Sequence, residues 1–459
     1  MALFGPQSVQ TNPTTLRDEM TDRGKKRLIS LDAYRGFVMI AMAASGLKIA
    51  SVWAKHHDAL VSGGQSETLW NVLSYQLEHV PWVGCSFWDL IQPSFMFMVG
   101  VSMPFSYSKR TDKGQSGTRR FLHAVVRSLI LIALGVFLAS NWSSQTNFVF
   151  TNVLSQIGLG YIFVYLLLGQ KAIVQGITAL AILGGYWYFF YAYQIPETEL
   201  QNLTAYIEEH VEKADERAEH FQLMKQYEGF GSHWNKHTNA AAAFDREFLS
   251  KFPSSEQEFR GKTYWLNKGG YATLNFIPSI ATMLFGLMAG QLLIGPSDDR
   301  KIVRRLLIAG TVCLLAGMVA DTHIWPIDTG TWGWSVCPTV KRIWTPTWAV
   351  FSTGWALLLL GMFYLLFDVI KLKWLAFPMA VVGMNSIAFY VMAQLMKGWI
   401  SHTWQIHMQT IDSFAGTNLI KRFFGETNIL APINESVLVL FTMWLIALWM
   451  YRRKLFVRI

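Results

Sequence analysis

Residues 79–106 read HVPWVGCSFWDLIQPSFMFMVGVSMPFS. From Cys85 to Ser106 the only charged side chain is Asp89, and the run is long enough to cross a bilayer, for which about 20 apolar residues suffice. The whole chain has the same character. Of its 459 residues 52% are hydrophobic and 15% charged, where soluble domains carry about 25% charged residues. Further apolar runs give ten expected spans, at 33–54, 84–107, 121–140, 150–168, 172–193, 273–293, 303–321, 346–367, 374–396 and 433–451. In hydrocarbon each must be helical, because every backbone group needs an internal partner. The expected fold is an all-α polytopic membrane protein of about ten transmembrane helices.

The net charge of +9 raises nucleic acid as a partner, but the basic residues sort by side of the membrane. Residues 23–27 of the polar leading tail, the even-numbered connections and the final YRRKLFVRI hold 20 Lys and Arg, against 6 in the opposite short connections, the 195–271 insert apart. That asymmetry places both termini in the cytoplasm, and nucleic acid becomes an unnecessary hypothesis. The expected organisation is a flexible cytoplasmic tail (1–30), helices one to five (31–194), an extracytoplasmic insert (195–271) and helices six to ten (272–459). The insert carries 13 acidic and 9 basic residues, and TELQNLTAYIEEHVEKADERAEHFQLMKQYEG has helical periodicity. Three scattered cysteines form neither a disulfide framework nor a metal pattern. There is no phosphate-binding glycine loop and no metal-ligand cluster, so no metal is expected.

Asp89 inside a span and His79 on its threshold call for an explanation, since an ionisable group at membrane depth is costly and marks function by default. Pro81 and Gly84 break regular structure between them, and a turn there would fold His79 back over the helix end. An imidazole oriented by a carboxylate is what general-base or nucleophilic catalysis requires. The plainer reading makes His79 and Trp82 interfacial anchors and Asp89 a buried hydrogen-bonder. Ser86, Asp89 and Gln92 share one helix face, Asn152 and Gln156 lie at i, i+4 in the fourth span, and Asn385 and Ser386 open the polar face of the ninth. Each amide alone is ordinary helix–helix adhesive, but together with Asp89 they point to a polar cavity within the bundle. Gly286-x-x-x-Gly290 in the sixth span is a close-packing signal.

LISLDAYRGF (28–37), the 79–106 stretch, NVLSQIGLGY (152–161), GMNS (383–386) and the terminal YRRKLFVRI occur in that order. In this the chain resembles the heparan-alpha-glucosaminide N-acetyltransferase family and its bacterial relatives, over nearly all of the membrane part. The resemblance implies transfer of an acetyl group from cytosolic acetyl-CoA, as co-substrate, to an amino sugar or related glycan on the outer side. The family's active-site histidine would be His79, within a His-x-x-Trp-x-Gly stretch that includes Trp82 and Gly84, and its aspartate Asp89. SLDAYRGF carries over to Asp32, Arg35 and Gly36, and Gly-Met-Asn-Ser to residues 383–386. The chain departs from the family enzyme at the end of span one, where MAASGLKIA offers Ser45 in place of an asparagine, and in having its own insert.

On this reading His79 and Asp89 are catalytic, Arg35, Arg127, Asn152, Gln156, Asn385 and Ser386 hold acetyl-CoA, and Trp82 and Ser45 lie on the acceptor side. A bacterial inner membrane is the expected location, and a homodimer is compatible with it. The rival expectation is a transporter of a small polar or sugar-linked solute, which would use the same cavity without acyl chemistry.

Overall fold

A computed structural model describes residues 27–253, 258–259, 262–324, 334–425 and 428–457. The chain is an all-α polytopic membrane protein, and helical structure falls in each of the ten expected spans, although the first and the ninth are broken. Among the described residues seven helical stretches are long and apolar enough to cross a membrane: Ile29–Ser62, Gly117–Ala139, Ala172–Tyr191, Thr273–Ile294, Asp299–Ala320, Pro346–Val369 and Ala431–Arg452. An eighth is a broken pair, Lys373–Gly383 and Ser386–Ala415, bent by 64°. The fourth expected span is the shorter apolar helix Val153–Leu166. The second, Ile91–Asp112, is diluted by two prolines, several serines and a charged final turn. The expected tail lies outside the described residues except for 27–30, and Ile29 already opens the first helix.

Lipid-facing and core helices are told apart by their surfaces. Leu122 and Leu129 on Gly117–Ala139, and Ile308, Val312 and Leu315 on Asp299–Ala320, are all more than half exposed. Such stripes of bare leucine and valine suit hydrocarbon rather than water. Ile91–Asp112 is the opposite case, with most of its side chains buried. It packs along Phe276–Ile294 at backbone contact. A Cβ on Gly286 would stand 2.1 Å from the Phe97 carbonyl oxygen, and one on Gly290 2.3 Å from that of Val101. The Gly-x-x-x-Gly pair therefore does what its spacing suggests, letting two helices meet without side chains between them. Gly36 and Gly383 do the same for the first and ninth spans, each lying against the other helix's backbone.

The first span does not run straight to residue 54. Ser45, Gly46, Leu47 and Lys48 are all left-handed, with φ between 45° and 62°. For residues with a Cβ this conformation costs roughly 1–2 kcal/mol each, so packing must impose the break. Lys397 supplies part of it, donating to the Ala43 carbonyl at 3.3 Å and to Ser45 Oγ at 2.7 Å. Beyond the break, Ile49–Ser62 and Glu67–Gln76 form a helical hairpin that delivers the chain to His79. Residues 195–271 contain the helices Glu197–His210, Ala214–Met224 and Ala240–Leu249, with a two-residue hairpin of strands, Glu258–Phe259 and Lys262–Thr263. The insert has a small core of its own around Leu203, Tyr206, Ile207 and Val211. A second cluster, including Trp234, Tyr186 and Ile343, ties it to the bundle.

Candidate functional site

The stretch 79–86 has no regular secondary structure, and Gly84 takes a φ of 117° that side chains rarely adopt. Its N–H donates to the Thr339 carbonyl at 3.0 Å, so the turn is pinned to the loop before Pro346–Tyr364. Helical structure restarts at Phe87 with Ser86 as its cap: Ser86 Oγ accepts from the Asp89 N–H, and Asp89 Oδ2 accepts from the Ser86 N–H. Oδ2 also accepts from Val80 N at 3.2 Å and from Ser86 Oγ at 2.9 Å. One carboxylate oxygen is thus fully engaged by the turn itself. The other, Oδ1, is left for His79, whose Nδ1 lies 2.7 Å away. The loop has folded His79 back over the helix end, as Pro81 and Gly84 suggested.

The protonation pattern follows from chemistry. An ionised carboxylate only accepts hydrogen bonds, so the proton of the short contact sits on Nδ1. The lone pair of a neutral imidazole is then on Nε2, which makes no hydrogen bond among the described residues. Asp89 is buried, whereas 38% of the His79 side chain is exposed, so the imidazole faces open space while its carboxylate does not.

A third ionisable group completes the cluster, one that sequence reasoning missed. Lys341 Nζ lies 3.3 Å from Asp89 Oδ1 and 3.2 Å from His79 Nδ1. In the sequence it is one of six outer basic residues, and no local signal separates it from the others. In the structure its side chain is 4% exposed, and burial pushes its ammonium down to about 8 against the opposing pull of Asp89. The turn that carries it is firmly held. Asn275 Nδ2 donates to the Arg342 carbonyl at 2.8 Å, Trp344 N to that of Lys341 at 2.9 Å, and Thr345 Oγ1 accepts from Val340 N at 3.0 Å.

His79 and Lys341 line a cavity of about 850 Å³, together with Ser45, Gln92, Asn152 and Tyr390. A second cavity of about 550 Å³ lies on the side where the described chain ends meet, since Leu28 and Val457 both line it. Six basic side chains line it (Arg27, Arg35, Lys109, Arg110, Lys113 and Arg127) against the single acid Asp32. Arg35 bonds to Ser102 Oγ and pairs with Asp32, one helical turn before it, at 3.7 Å. Arg127 lies over the Tyr161 ring at 4.9 Å, and its buried Nε has no hydrogen-bond partner among the described residues. The cavities share helices. Gln92 lines one and Phe95 the other, as do Val153 and Leu154, and Tyr390 and Ile387. Three helical residues span about 4.5 Å, so roughly one turn of helix separates the two spaces. From Gln92 to Arg110 the same helix rises about 27 Å, close to the thickness of a bilayer core.

The structure divides the remaining expected residues. Ser45 and Asn152 line the cavity of His79, with Asn152 Nδ2 donating to Tyr390 OH at 3.1 Å. Arg35, Arg127 and Ser386 line the basic cavity. Three residues line neither. Gln156 is buried and donates to the Phe150 and Thr273 carbonyls at 2.7 and 3.1 Å. Asn385 clasps the end of the chain, donating to the Leu455 carbonyl and accepting from Val457 N, both at 2.9 Å. Trp82 is fully buried and donates its indole N–H to the Trp234 carbonyl at 3.0 Å, which fastens the His79 loop to the insert. The single shared polar cavity expected for Asp89, Asn152, Gln156 and Asn385 is not formed, because two of those amides spend their bonds on backbone groups. Among the described residues no group of three or more His, Cys, Asp or Glu is placed to hold a metal ion.

The comparisons with known proteins agree with the motifs. The family profile described as heparan-alpha-glucosaminide N-acetyltransferase, catalytic, matches residues 67–215, a segment that includes His79, Asp89, Arg127 and Asn152. The chain is 22% identical to the heparan-alpha-glucosaminide N-acetyltransferase of Mus musculus over 87% of its own length and 58% of the relative's. With that of Homo sapiens the identity is again 22%, over 83% and 54%. The chain therefore spans a little over half the length of the curated relatives it matches. Its likeness to the heparan-alpha-glucosaminide N-acetyltransferases is borne out.

Proposed function

We propose that this chain, a relative of the heparan-alpha-glucosaminide N-acetyltransferases, carries an acetyl group across the membrane. The donor is acetyl-CoA and the acceptor an amino sugar or related glycan. The observation that carries the reading is the pairing of the two cavities: an oriented, half-exposed imidazole on one side of a thin septum and a strongly basic pocket on the other. Six cations around one carboxylate suit a phosphorylated nucleotide, and the 20-to-6 basic asymmetry puts that pocket on the cytoplasmic side. The insert and His79 then face outward. Arg35, Arg127 and Ser386 would hold the nucleotide end of the donor, and its pantetheine arm would reach past the septum toward Asn152.

At His79 the Nε2 lone pair has two chemically complete uses. As general base it takes the proton of the acceptor amine or hydroxyl while that group attacks the thioester carbonyl and the CoA thiolate leaves. As nucleophile it takes the acetyl group itself, expels the thiolate, and passes the acetyl on to the acceptor. In both, the Nδ1–H bond to Asp89 offsets the positive charge that develops on the ring. The rival is solute transport, which would also use opposed cavities with a thin septum. Purified protein given acetyl-CoA labelled in the acetyl group, with a glucosamine-type acceptor, separates the two. Label on the acceptor with release of free CoA is expected, and His79→Ala should abolish this transfer while donor binding persists. A wild type that neither binds acetyl-CoA nor releases CoA would return the chain to the transport reading.

A further inference from the structure

We propose that Lys341 is a positioning residue of this site: its ammonium balances Asp89, so that the carboxylate can orient His79 without holding the ring as an imidazolium. This rests on the acetyl-transfer reading and deepens it by naming what keeps the imidazole usable. A single proton on His79 Nδ1 cannot serve two partners. The 2.7 Å contact to Asp89 takes it, so the ammonium, at 3.3 Å from the same Oδ1, donates to the carboxylate and not to the ring. Asp89 and Lys341 are both almost completely buried, and a buried charge demands a partner. With Lys341 present, the carboxylate is neutralised by the ammonium and the ring carries no charge. With Lys341 gone, the only cation in contact with Asp89 among the described residues is the imidazolium form of His79, and that form has no lone pair on Nε2.

The other charged and titratable groups nearby do not take over this role. Arg342 donates to the Gly269 and Val80 carbonyls. Lys48 pairs with Glu435 at 3.7 Å. Glu78, Tyr75, Cys85, Tyr271 and Tyr390 make no hydrogen bond to His79, Asp89 or the Lys341 ammonium among the described residues. Lys341 reaches the site from a loop 252 residues away from Asp89 in the chain, and that loop is fixed through Thr339 to Gly84 and through Asn275 to Arg342.

The test is the pH dependence of His79 carbethoxylation by diethyl pyrocarbonate. Only the unprotonated ring reacts, and modification is followed on the His79 peptide by mass spectrometry in purified full-length protein. Lys341→Met should move the half-reactive pH upward by about one unit, lowering reactivity about tenfold on the acid side. Lys341→Arg should stay with the wild type, and the double variant Lys341→Met/Asp89→Asn, with neither charge left, should return toward it. A Lys341→Met profile that coincides with the wild type overturns the proposal. Should Lys341→Met not fold, the double variant is compared with Asp89→Asn, in which the ammonium acts on the ring unopposed. The double variant must then titrate at the higher pH, and equal profiles overturn the proposal. The reagent needs no acetyl-CoA, so a wild type that fails to transfer acetyl defeats the proposed function while leaving the effect of Lys341 measurable.

Discussion

Asp89 shows how much one side chain can be asked to do when its two oxygens are separated by role. Oδ2 closes the turn on Ser86 and Val80, while Oδ1 faces His79 and Lys341. Asp89→Asn keeps the shape and removes the charge. An amide in this place can offer Nδ2–H to the ring, which favours the tautomer with its proton on Nε2, the wrong one for a base. Acetyl turnover by Asp89→Asn should fall by about 10²–10⁴, the range that general-base catalysis contributes, while the Kd for acetyl-CoA stays within a few-fold of wild type. Steady-state kinetics beside a direct binding measurement checks this, and an unchanged turnover number would remove Asp89 from the mechanism. The spacing of His79, Pro81, Gly84 and Asp89 made this pair legible in the sequence, since the whole device is built within eleven residues. Gln156 and Asn385 were not legible in the same way. A polar side chain inside a bundle needs a partner, but nothing local says whether that partner is a substrate or a neighbouring carbonyl.

At the scale of elements the breaks matter as much as the helices. The left-handed run 45–48 stops the first span at the cavity wall, and the 64° bend between Lys373–Gly383 and Ser386–Ala415 brings Ser386 to one cavity and Tyr390 to the other. The insert docks by a buried carboxyl: Asp245 on Ala240–Leu249 accepts from Thr273 N at 2.9 Å with Oδ2, while Oδ1 has no hydrogen-bond partner among the described residues. Burial pushes its carboxyl up to about 7. The folded protein therefore holds a proton that the unfolded chain releases near its ordinary value, and this residue's contribution to stability declines as pH rises from about 4 to 7. Asp245→Asn mimics the protonated form. The melting temperature of the variant relative to wild type should thus climb over that interval and level off above it. A difference independent of pH would mean that Asp245 is ionised in the folded protein throughout.

For the whole molecule, the two cavities and the insert only make sense with a sidedness. If the basic cavity is cytoplasmic, Ala218, exposed on the helix Ala214–Met224, is outside and Thr118, exposed at the start of Gly117–Ala139, is inside. Ala218→Cys should react with a membrane-impermeant maleimide in intact cells above the level of the unaltered chain, and Thr118→Cys only after permeabilisation. The reverse pattern would invert the orientation and with it the direction of transfer.

The sequence by itself determined the class of protein and the places where helices form, because length, apolarity and periodicity are properties of each segment alone. It determined the His79–Asp89 pair for the same reason, a turn and a cap contained in one short stretch. Tertiary structure alone decided that Lys341 joins that pair, that Trp82 turns from the cavity to Trp234, 152 residues on, and that Asn385 closes on the chain end, 70 residues away. It also decided that, among the described residues, His79 and the basic cluster line separate cavities about one helical turn apart. These depend on which helix faces meet when glycine contacts bring Ile91–Asp112 against Phe276–Ile294, and Ile29–Ala44 against Lys373–Gly383. No period along the chain encodes such a meeting, since a polar side chain's partner is set by what packing places within about 3 Å of it.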